Sequence, residues 1–457
     1  MSFLCGIART STSANLYPKC HNISDIDKYY DRGPILVIKR VPANHTDEAV
    51  EKTDHTTPES YSLYDIKTYQ KFGLNILENT HIVMYACNDS NLEFLDWFLD
   101  SGLKLKYDER AINAASGNGH ENILNWWLAS GLELKYSECA ISLASEYGHE
   151  NVLNWWLGSG LELKYNCWPI TWASANGHLH ILNWWLNSGL ELKYDSWTTK
   201  MASMNRHLNV LNWWLDSGLE LKYDESAINK ACLYGYIDIL NWWLDSGLEL
   251  KYDKNAINAA CLYGYVDILN CWLGSGLELK YDSDAINWAS KNGHLHVLNW
   301  WLSSGLELKY DSEAIISASR HGHLRVLNWW LNSGLVLKYD STAIDLASEY
   351  GHLDVLNWWL GSGLKMKYDC GTIDFAIKSR KIKTIEWWIQ SGLPLKYTSC
   401  PVTWASENGH ISILKLWAEA GLPFDSREKA IELALKNNQI QVLNWWRKMG
   451  FGPNPKN

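Results

Sequence analysis

The sequence has no apolar run of the roughly 18 residues that a membrane-crossing helix needs. Near its start the only apolar patch, Phe3 to Ala8, is too short for the hydrophobic region of a secretory signal. None of its ten cysteines forms a Cys-x-x-Cys pair, so the usual spacing of zinc and dithiol sites is missing. No glycine-rich phosphate loop and no Gly-x-Ser-x-Gly elbow stands out, and the chain is not expected to be an enzyme. Positive charge is also short: 41 Lys and Arg face 51 Asp and Glu, leaving a net charge of −10. That balance argues against a nucleic-acid backbone or an anionic membrane surface as partner. The absences together point to an intracellular, cytoplasmic, reducing environment, where the sequons at Asn22 and Asn44 carry no meaning. Phenylalanine is scarce at 7, and against it stand 28 tryptophans.

The tryptophans are periodic. Trp-Trp pairs begin at 126, 155, 184, 213, 242, 300, 329, 358, 387 and 445, every gap being 29 or a multiple of it. Trp97-Phe98, Cys271-Trp272 and Leu416-Trp417 fill the missing rungs. The period divides the chain into an N-terminal segment 1–60 of unassigned role, a degenerate half-repeat 61–77, thirteen repeats over 78–454 and a tail 455–457. In the N-terminal segment, Gly33 to Val41 reads as one strand and Thr46 to Glu59 as a polar, partly flexible linker.

One repeat, Tyr310 to Lys338, shows the logic. Asp or Ser before Ala314-Ile315 can cap a first helix that stops at Gly322. Pro169 and Pro401 occupy the Ala position of other repeats, in the one helical turn that tolerates proline. A second helix from His323 to Asn332 stops at Ser333-Gly334. It is apolar nearly all round and is expected to be buried, with Asn328 and the ends facing water. The connector Leu335 to Tyr339 alternates apolar and polar residues. The fold class is therefore all-α, an α-solenoid of stacked helix-turn-helix units.

The consensus Gly-His-Leu-x-Val-Leu-x-Trp-Trp-Leu-x-Ser-Gly-Leu, with the preceding Ala-Ile-x-x-Ala-Ser, resembles the core of ankyrin repeats. The repeat is four residues shorter than the usual 33, which implies shortened β-hairpin loops. The Trp-rich, 29-residue variety is similar to the arrayed ankyrin repeat proteins of giant DNA viruses of amoebae. This resemblance implies a protein partner, from the host where the chain is viral, held on a concave surface of first helices and connectors. No cofactor, metal, nucleic acid or membrane is implied, and the chain alone is expected to be monomeric.

The chain's own variation points to the same face. Second helices hardly change, whereas first helices vary after Ala-Ile, in pairs such as Asn113-Ala114, Ser142-Leu143 and Thr171-Trp172, and again after Ala-Ser. The aromatic residues Trp172, Trp288, Trp404, Phe375, Tyr147, Tyr234, Tyr263, Tyr350, Trp168 and Trp197 are the candidate partner-binding residues, since aromatics dominate protein interfaces. The competing reading is that Trp172, Trp288 and Trp404 lean into the groove between repeats. Two other functions stay open: a self-associating structural component, and a ubiquitin-ligase adaptor using residues 1–60. The recurrent histidines at 120, 149, 178, 207, 294, 323, 352 and 410 suggest bonding within the turn, and His178-x-His180 lacks a third metal ligand. Cys232 and Cys261 occupy equivalent sites in adjacent repeats, too far apart for a disulfide. The recurring Glu and Lys of Gly-Leu-Glu-Leu-Lys read as a solvated stripe. Arg206, in place of a helix-stopping glycine, and the basic stretch Lys378 to Lys381 are the irregular spots. Arg447, Lys448 and the following Pro-Asn-Pro suit a polar cap.

Overall fold

The structure, a computed structural model, describes residues 2–9, 23–41, 59–398 and 400–451. The chain divides into two units, Met1–Ala227 and Ile228–Asn457. Within each, helix pairs follow one another in series and pack on their neighbours, making an all-α solenoid. No strand follows Ser62 among the described residues, so the connectors between helix pairs carry no hairpin.

The first unit begins with an element larger than the single expected strand. Strands β1 (Ser2–Ala8), β2 (Ile35–Val41) and β3 (Glu59–Ser62) form an antiparallel sheet in that order. The division drawn at residue 60 therefore falls inside β3. A 3₁₀ helix, Ile23–Arg32, connects β1 to β2. Ile26 and Tyr30 of this helix are buried, as are Leu36, Leu63 and Tyr69. The Tyr85 hydroxyl, from repeat 1, donates to the Asp31 carbonyl and ties this element to the first helix pair. Of the expected linker only Glu59 is described, and the tail 455–457 lies outside the described residues.

Repeats are numbered here from 78–106 as repeat 1 to 426–454 as repeat 13. In repeat 9 the first helix is Glu313–Arg320 and the second Leu324–Asn332. Of the two residues offered as its cap, Asp311 takes the role: its side chain, directly after the tyrosine, accepts from the Glu313 N–H at 2.9 Å. Asp195, Asp253, Asp282 and Asp369 do the same for their helices. At the other end Gly322 adopts φ 73°, and a Cβ there would sit 2.7 Å from the Nδ1 of His352 in the next repeat. Glycine is thus required twice, for its left-handed backbone and for the ring that lies on it.

The second helix is buried on one side only. Val326, Leu327 and Trp330 are fully buried. Trp329 is half-exposed, and the leucine after the Trp pair is exposed in most repeats, as at Leu128, Leu157, Leu273 and Leu302. A 3.6-residue period spreads the apolar run of 326–327 and 329–331 right round the helix while its neighbours cover one side, so the expectation of all-round burial fails at Trp329 and at these leucines. The second Trp of each pair carries the core. Burying one contributes about 4–6 kcal/mol gross, an upper bound because unfolded chains also hide area.

A buried indole N–H needs an acceptor. In most repeats it finds one in the preceding repeat, on the Ser or Cys near the end of the first helix. Trp156 donates to Ser116 at 3.1 Å in the first unit, and Trp359 to Ser319 at 3.2 Å in the second. Trp127, Trp272 and Trp301 use Cys87, Cys232 and Cys261 instead. These thiols are free, and burial pushes each up to about 12. The first Trp of most pairs donates in turn to the Asn before the preceding pair, as Trp358 does to Asn328 at 2.8 Å.

Candidate interaction surface

With the tyrosine counted as residue 1 of a repeat, the inward residues of a first helix are 5, 6, 9 and 10, such as Ala314, Ile315, Ala318 and Ser319. Residues 4, 8 and 12 lie at helical spacing on another side. All ten aromatic candidates fall on that 4, 8, 12 stripe: Trp168 and Trp197 at residue 4, Trp172, Trp288, Phe375 and Trp404 at 8, and Tyr147, Tyr234, Tyr263 and Tyr350 at 12. Seven of them are 41–56% exposed. Trp172, Trp288 and Trp404 are half-buried, so each offers one side to solvent and packs the other.

The stripe is held in place. Trp168 stacks on Trp172 with centroids 5.6 Å apart, and the Lys200 ammonium sits 4.0 Å over the Trp197 ring. Tyr234 stacks on Tyr236, Tyr263 on Tyr265, and Tyr350 on His352. An aromatic held by a neighbour loses little rotamer freedom when a partner covers it.

The first member of each variable pair is not part of this surface. Asn113, Ser142, Thr171, Asn287, Asp374 and Thr403 are buried. Three of them bridge to the next repeat's cap, whose residue differs: Asn113 donates to Ser137 at 2.8 Å, Asn287 donates to Asp311 at 2.9 Å, and Thr398 donates to Asp374 at 2.6 Å. Asp345 accepts from Thr372 in the same way, and burial pushes its carboxyl up to about 6.

The histidines do not bond within their own turn. His149, His178, His294, His323 and His352 each donate from Nε2 to a carbonyl of the preceding repeat, at 2.9–3.1 Å. His180 does likewise to Gly148, so both Nε2 atoms of His178-x-His180 are engaged. Burial lowers the pKa of His149, His178, His294 and His323, since an imidazolium there would lose hydration.

Nor is the Glu and Lys edge a simple charged stripe. Each lysine folds back over the tyrosine that begins its repeat. Lys338 lies 4.5 Å from the Tyr310 centroid and donates to the Tyr310 carbonyl at 2.9 Å. The ion pairs Lys135–Glu133 and Lys193–Glu191 are long, at 3.4 and 4.0 Å.

Sequence reasoning missed one feature of the face. In repeats 1 to 3 the stripe opens into a hollow of about 800 Å³, lined by Met84, Asn88, Ala114, Gly117, Leu143 and Tyr147 among others. Small side chains, Ala114 and Gly117, line it at sites that carry Trp172 or Phe375 and Met204 or Arg320 in other repeats. The signal was present as an absence of bulk, which a search for large residues passes over.

No helix among the described residues is long and apolar enough to cross a membrane. No family model matches the chain. An uncharacterised protein of Acanthamoeba polyphaga mimivirus, L696, is 41% identical over 106 residues, which is 22% of this chain and 33% of that protein. The chain is thus a helical repeat protein similar in part to a viral protein, and the match spans a third of that relative's length.

Proposed function

We propose that the chain is a non-enzymatic, ankyrin-like scaffold that holds a partner protein on the 4, 8, 12 stripe of its first helices. The observation that carries this reading is the separation of roles within each repeat. Second helices, caps, histidines and lysines are committed to the stack, and the aromatic residues that vary are confined to the stripe left free. Gly-His turns and helix pairs of near-constant length support the ankyrin comparison, and the missing hairpins accord with a shortened repeat. A cytoplasmic location and a viral origin, with a host protein as partner, belong to the same proposal.

The test is a tagged pulldown from native or infected cells, beside a variant with Trp172, Trp288 and Trp404 changed to Ala whose helicity circular dichroism confirms. Defined partners lost by the variant support the proposal. The same partners on both proteins would move the function to another surface. One observation favours a second reading, self-association: the leucines at 128, 157, 186 and 215 in the first unit, and at 273, 302 and 360 in the second, are exposed at the repeat spacing. Sedimentation of the purified chain over a concentration series decides it.

A further inference from the structure

Repeat 11 departs from every neighbour at the turn between its helices. Lys378, Arg380, Lys381 and Lys383 place four cations within six residues, with no carboxylate among them. All four are exposed, and none joins an ion pair among the described residues. Arg380 stands at the glycine site and keeps the left-handed backbone, φ 56°, so the turn retains the shape of the others while carrying charge they lack. The aromatic stripe runs beside it: Phe375, one turn earlier on the same helix, is 41% exposed, and Trp404 occupies the same site in repeat 12. His410, whose ring lies 4.9 Å from Trp404, has an Nε2 with no hydrogen-bond partner, unlike His352 two repeats earlier.

A cationic turn on a chain of net charge −10 acts locally. At physiological salt, charges beyond about 8 Å are largely screened, so a ligand close to the turn meets mainly these four cations. The turns on either side are acidic, with Glu349 and Asp354 in repeat 10 and Glu407 in repeat 12. A long polyanion such as a nucleic acid running along the edge would meet those carboxylates. A short acidic segment crossing the single turn would not, and its apolar residues would reach Phe375 and Trp404.

We propose that the turn of repeat 11, with Phe375 and Trp404, binds an acidic protein segment that carries an apolar or aromatic anchor. This rests on the reading of the first-helix stripe as a protein-binding face and adds the chemistry of the partner. The test is selection of short random peptides on the purified full chain, followed by affinity measurements on the enriched peptides. The comparison protein has Lys378→Glu, Arg380→Asn and Lys383→Glu, with Asn chosen because it tolerates the left-handed backbone; circular dichroism confirms its fold. Enriched peptides should be acidic with an aromatic or aliphatic residue, and should bind the variant about tenfold more weakly, with affinity falling as salt rises. Neutral peptides that bind both proteins alike, but fail on Phe375→Ala with Trp404→Ala, would overturn the acidic partner and leave the stripe standing. No enriched peptide at all would overturn both. Tighter binding of a labelled oligothymidylate than of any acidic peptide would overturn the proposal in favour of nucleic acid.

Discussion

Repeats 9 and 10 are joined by three side-chain bonds that repeats 11 and 12 lack. Across the first junction Trp359 donates to Ser319, Trp358 to Asn328, and His352 to the Arg320 carbonyl. Across the second, Ile377 replaces the serine, and Trp417 turns to the Pro423 carbonyl of its own repeat at 3.0 Å. Leu416 stands for the first Trp and Glu386 for its asparagine acceptor, while the His410 Nε2 is unpartnered. The Thr398 to Asp374 bond remains. The two junctions share a backbone plan and differ in the polar ladder, which shows that packing builds the stack and that the ladder ties one repeat to the next. The junction between repeats 12 and 13 is tied again, by Trp446 to Ser406 and Gln439 to the Glu407 carbonyl.

The comparison can be broken most severely at its core. Trp359→Ala should destabilise the stack by about 3–5 kcal/mol in chemical denaturation, through the cavity it leaves. Gly322→Ala should cost at least about 2 kcal/mol, from left-handed strain and from the His352 ring that its Cβ would meet. The mirror change, Arg380→Gly, should gain about 0.5–1 kcal/mol, the relief of strain being partly offset by the entropy of a new glycine. Ser319→Ala, which leaves the Trp359 indole N–H without an acceptor, should cost about 1–2 kcal/mol. Hydrogen exchange sharpens the contrast without mutation: amides of 400–451 should lose protection before those of 310–367. Equal protection in the two regions would show that the missing ladder does not matter.

The smallest expected effect is on pH. The half-buried His149, His178, His294 and His323 hold their neutral forms below the ordinary pKa of about 6.5. The unfolded chain therefore takes up protons first, and stability should fall as pH drops through 6.5 toward the lowered folded values. Asp345, pushed up to about 6, works in the opposite sense over the same window, favouring the fold as it protonates. In an Asp345→Asn background, the melting temperature should therefore fall more steeply between neutral and mildly acid pH.

Much of this was legible in the residues because the repeat displays each rule many times. The glycine stops, the helix pairs and the 29-residue frame follow from local chemistry, and so does the stripe of ten aromatics. What was not legible depends on partners distant in sequence. The histidine acceptor lies 32 residues back and the indole acceptor 40, and neither distance is a helical or strand period. The burial of Asn287 and its kin was hidden for the same reason, since their partner is the next repeat's cap. The N-terminal sheet escaped because β1 and β3 pair with β2 across segments of no marked pattern, and the hollow near Ala114 because it is made of missing bulk.

The central claim is that a partner protein lies on the first-helix stripe. The most direct measurement is a hydrogen-exchange footprint of the chain with a captured partner against the chain alone. New protection is expected in first helices, at residues such as those of 168–175 and 283–291, with second helices unchanged. New protection confined to the second helices and their exposed leucines would contradict that claim.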